Sequence, residues 1–314
     1  MAEIPQREAY GRALADYGEI NHDIVVLDAD TSSSTLTHFF ASKYPDRFFN
    51  IGIAEPCLVD FGVGMSLGGF TPFVNAFAAF LSLRAIEQVR TCVAYAETNV
   101  KLVGHYAGLS DFKDGPTHNC IVDLAFMRAL PNMTVIVPSD NNQIKNWIPI
   151  IANHKGPLYF RMSRDSSLPI HPEDIKPEIG KAIKIREGSD VTIIATGTMV
   201  GRCILAADVL QTKGISSGVL EIHTIKPIDV EAICNAASST GAIVTAEEHS
   251  IIGGLGGAVA EILSENCPVP IKRVGVKDRF GVTSKSAEVL MDYMGLSVDD
   301  IVESAIQVIK KKSN

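Results

Sequence analysis

The sequence predicts an α/β protein of two doubly wound domains, each built on a mostly parallel sheet that helices cover on both faces. Short apolar runs alternate with segments of helical spacing along the whole chain, and one proline-rich stretch interrupts them. Strands that alternate with helices form βαβ units, which build parallel sheets buried on both faces. The length of 314 residues, with 46% hydrophobic residues, suits two packed domains of ordinary size.

The elements of the first domain follow from apolar runs and from apolar spacing. Strands are predicted where short, mostly apolar runs stand between turn residues, at 24–27, 100–104, 133–137 and 158–161. Helices are predicted where apolar residues recur every three or four positions, at 10–17, 81–96, 121–130 and 141–153. This alternation accounts for one parallel sheet.

Residues 166–180 break the alternation. This stretch contains Pro169, Pro172, Pro177 and several charges, a composition typical of an extended linker. Beyond it the alternation restarts, with strands predicted at 191–195, 217–221, 242–245 and 271–276 and helices predicted at 199–211, 230–237 and 257–264. We therefore expect a first domain at residues 1–178 and a smaller second domain at residues 179–314.

The composition argues against several classes of function. A net charge of −8 disfavours non-specific binding of nucleic acid, and the longest apolar runs are too short to cross a membrane. The first seven residues lack a signal-peptide pattern, which predicts a cytoplasmic protein. The six cysteines form no Cys-x-x-Cys pair, so we expect free thiols and no metal site made of cysteines. The basic triplet at 310–312 is expected to end a helix.

The run from Asn50 to Pro56 contains one carboxylate, Glu55, just after a short apolar strand and before the Gly-rich segment 61–70. With apolar neighbours such as Ile51 on both sides, this acid should be poorly solvated, which favours its neutral or hydrogen-bonded form. Such a group is costly to bury unless something uses it. From Glu55 alone, an acid that faces water at a helix N-terminus remains the simpler interpretation.

Polar and aromatic residues follow two further elements. Asp30 and Ser34 lie in a hydroxyl-rich run after the first strand, at the end where ligands gather in open parallel sheets. They could bind an anionic group, or they could simply form a turn that caps the next helix. Phe77 and Phe80 are predicted to share one face of a helical turn, where they could stack on a planar heterocycle or fill the core.

Two histidines stand near predicted strand ends. His105 follows the strand at 100–104, and His118 ends the run Asp114-Gly-Pro-Thr-His in a turn between two apolar elements. Such a pair suits hydrogen bonding to a polyol or an oxyanion, or proton transfer near neutral pH, although each histidine could also be structural. Their spacing does not match a metal site.

Arginines and glycines supply two further candidates for anion binding. Arg161 and Arg164 flank the end of a strand, where an arginine can hold a phosphate bidentately or form a surface salt bridge. The Gly-rich run 247–257 lacks the Gly-Lys-Ser/Thr of a phosphate loop, and two acids and a histidine precede its glycines. We therefore expect this run to serve tight packing of a strand against a helix.

In chain order, nine motifs resemble the C-terminal half of transketolase across nearly the whole sequence. They are Arg7, Asp30, Ser34, the Ile-Ala-Glu55 block, Phe77 with Phe80, His105, Asp-Gly-Pro-Thr-His118, Ser-Arg164 and Glu-Glu-His-Ser-Ile-Ile-Gly-Gly. The first domain then resembles the pyrimidine-binding domain of thiamine diphosphate (ThDP) enzymes, and the second resembles the family's C-terminal domain.

The resemblance implies four cofactor contacts. Glu55 would bond to the aminopyrimidine ring of ThDP and thereby promote deprotonation of the thiazolium carbon. Phe80 would stack on the pyrimidine ring, Phe77 would form a second wall of that pocket, and Asp30 would lie near the thiazolium.

The resemblance also implies substrate contacts. His118 would contact the hydroxyls of the donor sugar and assist proton transfer, and Asp114 would hold a substrate hydroxyl. A clamp for a terminal phosphate would consist of Arg7, Ser34, His105 and Arg164. Since the terminal group could also be another anion such as a sulfonate, the sequence does not name the sugar.

Two departures from the family pattern shape the expected assembly. The chain has no Gly-Asp-Gly followed by a downstream Asn, the family element that binds Mg²⁺ and the diphosphate. The resemblance therefore implies the smaller subunit of a split transketolase, whose N-terminal partner subunit holds the metal and the diphosphate, in an α2β2 heterotetramer. The second departure is Leu83, where many transketolases carry a tyrosine.

The implied reaction is transfer of a two-carbon ketol unit from a ketose phosphate to an aldose, as in pentose phosphate metabolism. The nearest alternative is a subunit of an enzyme similar to 1-deoxyxylulose-5-phosphate synthase. An alternative of another class is a catalytically silent interaction subunit that kept the same fold. The β subunit of 2-oxoacid dehydrogenases fits less well, because the run from Asp114 to His118 is not its pattern.

Overall fold

The computed structural model describes residues 4–312, and the strands in this part of the chain form two sheets. The strands are β1 (Ile24–Asp28), β2 (Phe48–Asn50), β3 (Thr71–Phe77), β4 (Lys101–His105), β5 (Thr134–Ile136), β6 (Leu158–Arg161), β7 (Ile183–Arg186), β8 (Val191–Ala195), β9 (Ser217–Glu221), β10 (Thr224–Lys226), β11 (Ile243–Ser250) and β12 (Ile271–Val276).

Helices connect most of these strands. The α-helices are α1 (Gln6–Ile20), α2 (Ser32–Thr35), α3 (His38–Lys43), α4 (Glu55–Leu67), α5 (Asp123–Ala129), α6 (Asn141–Asn153), α7 (Met199–Thr212), α8 (Val230–Thr240), α9 (Leu255–Asn266), α10 (Ala287–Tyr293) and α11 (Val298–Lys312). Short 3₁₀ turns occur at Pro45–Arg47 and Gly115–Thr117. Within residues 4–312, no helix is long and apolar enough to cross a membrane.

The first sheet has the strand order β10-β5-β6-β4-β3-β1-β2 and is parallel except for β10. From β1 the chain runs to β2 on one side and then crosses to β3 on the other, so the order reverses between β1 and β3. In open sheets of this kind, ligands bind at the carboxyl ends of the strands beside such a reversal. The fold therefore favours a site at the ends of β1, β3 and β4.

Helices cover both faces of the first sheet. On one face, α1, α3 and α6 pack against it through Tyr10, Phe40 and Trp147, all fully buried. On the other face, α4 and α5 contribute Leu58 and Leu124. Burial on both faces explains why its central strands are continuous apolar runs rather than alternating ones.

The second sheet has the order β12-β11-β8-β9-β7 and is parallel except for β7. Helices α7 and α11 cover one face, and α8 and α9 cover the other. The apolar residues of α8 and α9, such as Ile233 and Val259, belong to the same core as those of α4 and α5. One apolar core therefore extends across both domains.

The predicted fold class, two mostly parallel α/β domains, is confirmed. Helix α6 has its predicted bounds, and its first turn is capped by Asp140, whose Oδ1 accepts the Gln143 N–H at 2.8 Å. The basic triplet does end a helix, α11, which also begins with acidic residues. Both charges suit the helix dipole.

Several local predictions were wrong. In place of one helix over 81–96, the chain forms two π-helical segments, Phe80–Arg84 and Gln88–Tyr95. Phe77 ends the strand β3 and does not lie on a helical turn. Apolar spacing cannot separate a π-helix from an α-helix over so few turns, and π segments often occur at functional sites.

Strand β3 was not predicted, because Pro72 and Asn75 interrupt its apolar run. Two more strands were not predicted, because each is a short run with mixed composition. One of them, β10, comes from the second half of the chain yet pairs antiparallel with β5 of the first sheet. The other, β7, adds an antiparallel edge to the second sheet. The expected boundary at residues 178 and 179 lies in the irregular segment between β6 and β7.

Candidate active site

Glu55 is the first residue of α4 and is almost fully buried. Both of its carboxylate oxygens accept from Arg84 Nη1, at 3.1 and 2.9 Å. The Glu55 side chain is 3% exposed and that of Arg84 is 49% exposed. The carboxylate is thus hydrogen-bonded, one of the two forms that poor solvation favours, and its partner is a cation that can reach solvent. The helix N-terminus also favours its negative charge.

Arg84 joins Glu55 to an aromatic cluster. Its guanidinium carbon lies 4.3 Å from the centre of the Phe80 ring, within the range of a cation–π contact. The His118 ring approaches Phe80 edge-on at 5.0 Å and Phe77 at 6.1 Å. Phe77 and Phe80 are 6.1 Å apart. The structure thus brings together the predicted residues Phe77, Phe80 and His118.

Tyr106 extends this cluster toward two arginines, and sequence reasoning missed it. Its ring lies 4.5 Å from that of Phe77, and its hydroxyl accepts from Arg7 Nη1 at 2.7 Å. Arg164 places its guanidinium carbon 5.3 Å from the same ring. Tyr106 has a φ of 58°, which is uncommon for a bulky side chain and occurs most often at functional sites.

The predicted anion clamp is partly assembled around Tyr106. Arg7 donates at 3.0 Å to the backbone carbonyl of Ser34, so the Ser34 carbonyl, and not its hydroxyl, makes this contact. The Nε atoms of Arg7 and Arg164 are buried and have no hydrogen-bond partner among the described residues. Two cations with unused donors face one aromatic ring, which suits an anionic ligand.

His105 lies beneath this cluster and is fully buried. Its Nε2 is 3.0 Å from Asn75 Oδ1, which also accepts the Tyr10 hydroxyl at 2.7 Å, so we assign the proton to Nε2. Burial, with a smaller contribution from the positive charge of Arg7, lowers the pKa of His105 to about 3. A ring that stays neutral near pH 7 favours hydrogen bonding over proton transfer, the two roles that the sequence left open for His105. Its Nδ1 has no partner among residues 4–312.

Asp114 and Asp30 are both exposed. Asp114 precedes the 3₁₀ turn Gly115–Thr117 and lies beside Asp111, which is nearly fully buried. Burial raises the pKa of Asp111, and the nearby Asp114 charge raises it further. Asp30 has a positive φ and accepts from Asn50 Nδ2 at 2.8 Å. Neither Asp30 nor Asp114 joins the aromatic cluster directly.

The hydroxyl-rich run after β1 forms a turn that is held by its own hydrogen bonds. Asp28 is buried, and its carboxylate accepts from the Thr31 N–H and from the hydroxyls of Thr35 and Thr37, the last two at 2.8 Å. This is the turn-forming alternative that the sequence left open. The turn holds Ser34 beside Arg7.

Arg161 has a structural position. Its Nε donates to Asp123 Oδ2 at 2.7 Å, and its Nη2 donates to the Cys120 and Glu248 carbonyls at 3.2 and 3.0 Å. Arg161 and Asp123 are both buried. Burial alone would raise the pKa of Asp123, but Arg161 and the Tyr159 hydroxyl bring it below its usual value. Arg161 therefore forms neither a phosphate site nor a surface salt bridge, the two roles that the sequence left open.

The Gly-rich run packs a strand against a helix, as expected. Glu247 accepts the N–H groups of Leu255 and Gly256 at 2.7 and 2.8 Å, so its carboxylate fills the N-terminus of α9 that a phosphate would otherwise occupy. A Cβ at Gly254 would clash with this carboxylate, which explains a glycine there.

Comparison with known proteins identifies the family. Residues 2–168 match the family model described as "Transketolase, pyrimidine binding domain", and residues 180–301 match "Transketolase, C-terminal domain". The chain belongs to the transketolase family.

Two curated transketolase subunits and one solved structure match over nearly their whole length. The 6-deoxy-6-sulfo-D-fructose transketolase subunit of Clostridium sp. (strain MSTE9) is 42% identical, over 98% of this chain and 95% of that protein. An apulose-4-phosphate transketolase subunit of Phocaeicola vulgatus is 36% identical, over 98% of both. A structure described as a split gene transketolase in an inactive β4 tetramer has a TM-score of 0.92 and 44% identity, and covers 98% of this chain and 99% of that one.

The transketolase family generally uses ThDP with a divalent metal. The residues of this chain fit the pyrimidine end of that cofactor. The Arg84 guanidinium is a planar group rich in N–H donors, and it bonds to Glu55 while it lies over Phe80. An aminopyrimidine needs the same two contacts, so this corner of the site accepts a group of that shape and polarity.

Proposed function

We propose that this transketolase-family chain is the pyrimidine-binding subunit of a ThDP-dependent ketol transferase, which moves a two-carbon unit from an anionic ketose to an aldose. The observation that carries the proposal is the buried Glu55 carboxylate, which is bonded to an Arg84 guanidinium that lies over the partly buried Phe80 ring. A carboxylate with this burial at the pocket edge is the group that an aminopyrimidine requires. The silent-subunit alternative does not account for it.

Bound ThDP, with its Mg²⁺ and diphosphate held by the partner subunit, would supply the electron sink for cleavage of a carbon–carbon bond beside a carbonyl. Glu55 would hold the pyrimidine nitrogen by a hydrogen bond, and Phe80 would fix the plane of the ring, with Phe77 beside it. His118 is half-buried in the same cluster, next to the exposed mouth of the site. It is positioned to exchange a proton with a substrate hydroxyl, whereas the neutral His105 would only accept or donate a hydrogen bond.

The substrate end of the site would bind a terminal anion. Arg7 and Arg164 meet around Tyr106, and each has a buried Nε without a partner among the described residues. The two guanidinium groups could hold a phosphate or a sulfonate far from the reacting carbons. The binding energy of this anion would then orient the reacting carbons. The curated relatives act on sugars that carry either anion, according to their names. Asp114, Asp30 and Ser34 would complete the contacts at the rim.

We propose that activity requires an N-terminal transketolase subunit, in an α2β2 complex. Exposed apolar side chains on and next to α4 support this part of the proposal, namely Ile53, Phe61, Leu67 and Phe70. The apolar residues of this helix are spread around its axis and are not confined to one face, which is unusual for a helix that faces water. A partner subunit that covers this surface would also cover the open side of Glu55.

The test is an assay of the chain with and without an N-terminal transketolase subunit from the same source. We expect ketol transfer only from the pair, and substitution Glu55→Gln should lower kcat/KM by about 10²-fold or more. The matched control is Glu261→Gln, since Glu261 also pairs with an arginine, Arg128, but lies outside the site. Unchanged transfer in Glu55→Gln would favour the silent subunit, and activity of the chain alone would contradict the partner requirement.

The donor assay separates the enzymatic alternatives. A ketose 6-phosphate and a 6-sulfo ketose would each be supplied with an aldose acceptor, and pyruvate with glyceraldehyde phosphate would be supplied in parallel. Turnover of either ketose supports ketol transfer and identifies the anion. Turnover of pyruvate with glyceraldehyde phosphate, and of neither ketose, would favour the synthase-like alternative.

A further inference from the structure

The second domain holds the loop that carries Tyr106 and His118. We call residues 106–121 the His118 loop. At its start, the Leu109 N–H donates to Glu248 Oε1 at 2.6 Å, and at its end the Ile121 carbonyl accepts the Ser250 N–H at 2.8 Å. In the middle, the Phe112 carbonyl accepts the Ser284 N–H at 2.8 Å. Residues of the second domain thus bond to the loop at three separated points.

Close packing adds further contacts. A Cβ at Gly281 would clash with Asn119 Oδ1, directly beside His118. A Cβ at Gly115 would lie 2.6 Å from Thr283 Oγ1, and one at Gly108 would lie 2.5 Å from the Glu248 carboxylate. The two surfaces therefore touch without room for an added methyl group.

Glu248 is buried, and both of its oxygens are used. One accepts from Leu109, and the other accepts the Thr198 hydroxyl at 2.9 Å, which fixes the carboxylate to the second domain. The loop is also closed on itself, because the Gly108 N–H donates to the Cys120 carbonyl at 2.8 Å. A shift of Glu248 would therefore move the loop as a unit.

We propose that the second domain positions the His118 loop, with Glu248 as the main positioning residue, so that His118 and Tyr106 meet Phe77 and Phe80 in one fixed arrangement. Glu248 does not touch these rings and acts through the backbone at Leu109. The structural part of this inference stands on the contacts alone. Its catalytic consequence rests on the proposed function, where a misplaced loop would slow turnover.

The structural part is tested by hydrogen exchange of the backbone amides in the His118 loop, without any partner or cofactor. Substitution Gly281→Ala adds one methyl group against Asn119, and the backbone at Gly281 admits an L side chain. The matched control is Gly257→Ala, where the nearest contact of the new Cβ would be 3.9 Å. We expect exchange in the loop to become about tenfold faster in Gly281→Ala and to stay unchanged in the control. Equal exchange in both variants would overturn the proposal.

The catalytic part is tested in the assembled pair with Glu248→Ala and Glu248→Gln. Alanine leaves the Leu109 N–H without an acceptor, whereas glutamine can keep both hydrogen bonds. We expect Glu248→Ala to lower kcat by about 10²-fold in a complex that still assembles and melts cooperatively, and Glu248→Gln to recover most of the loss. Full activity of Glu248→Ala would overturn the positioning role. If the wild-type pair shows no ketol transfer, the proposed function fails, and the exchange experiment still decides the structural part.

Discussion

The contact between Arg161 and Asp123 leads to a prediction about stability that could not be made from the sequence alone. Substitution Arg161→Met keeps much of the side-chain volume and removes the cation. The Asp123 carboxylate, which is fully buried, then loses its cationic partner and keeps the hydrogen bond from the Tyr159 hydroxyl at 2.8 Å. The Glu248 carbonyl also loses its bond from Arg161, and the Cys120 carbonyl keeps only the bond from the Gly108 N–H.

The magnitude follows from burial. Breaking a buried ion pair by removal of one partner typically costs about 3–5 kcal/mol, because the remaining charge has no compensation. A surface pair is worth about 1 kcal/mol or less. Arg186→Met is the matched control, since Arg186 pairs with Asp208 at 2.6 Å and the Asp208 side chain is 63% exposed. We therefore expect a loss of about 3–5 kcal/mol in Arg161→Met and about 1 kcal/mol or less in Arg186→Met.

Urea denaturation followed by circular dichroism measures both variants, with the slope of the transition checked for two-state behaviour. The double substitution Arg161→Met with Asp123→Leu should recover much of the loss, because it removes both buried charges. Equal midpoints for Arg161→Met and Arg186→Met would refute the reasoning. They would mean that the Asp123 carboxylate is solvated or neutralised in some other way.

Three further predictions concern the candidate site. Since burial and Arg7 lower the pKa of His105 to about 3, the unfolded chain protonates this ring below about pH 6.5 while the folded chain does not. The free energy of unfolding should thus fall as the pH drops from 6.5 toward 3, by at most about 1.4 kcal/mol per pH unit. In denaturation experiments, His105→Gln should flatten this dependence on pH. An unchanged dependence in His105→Gln would contradict the prediction. Substitution Arg84→Met frees Glu55 from a half-exposed ion pair, so calorimetry on the assembled pair should show up to about fivefold tighter ThDP binding, whereas weaker binding would mean that Arg84 contacts the cofactor. Tyr106→Phe removes the hydroxyl that accepts from Arg7, and steady-state kinetics should show KM for the anionic ketose raised about tenfold with kcat retained; a loss in kcat alone would argue against an anion role.

The sequence by itself determined the fold class and the order of most elements. A strand buried in a parallel sheet must be an apolar run, and a run of that kind can be recognised without knowledge of its neighbours. The predicted bounds agree with the structure for α6, β6, β8, β9 and β12. The order of the family motifs along the chain could also be recognised from the sequence, because the spacing of motif residues is a local property of the chain.

Tertiary structure decided which of the candidate residues meet and in what state of charge. Arg84 reaches Glu55 across 29 positions, Tyr106 meets Arg7 across 99, and Glu248 meets Leu109 across 139. None of these pairs has a spacing that a local pattern could reveal. The state of His105 depends in the same way on burial, since a histidine at a strand end titrates near neutral pH only where water reaches it. Desolvation and long-range contact arise from packing, and the packing exists only once the chain is folded.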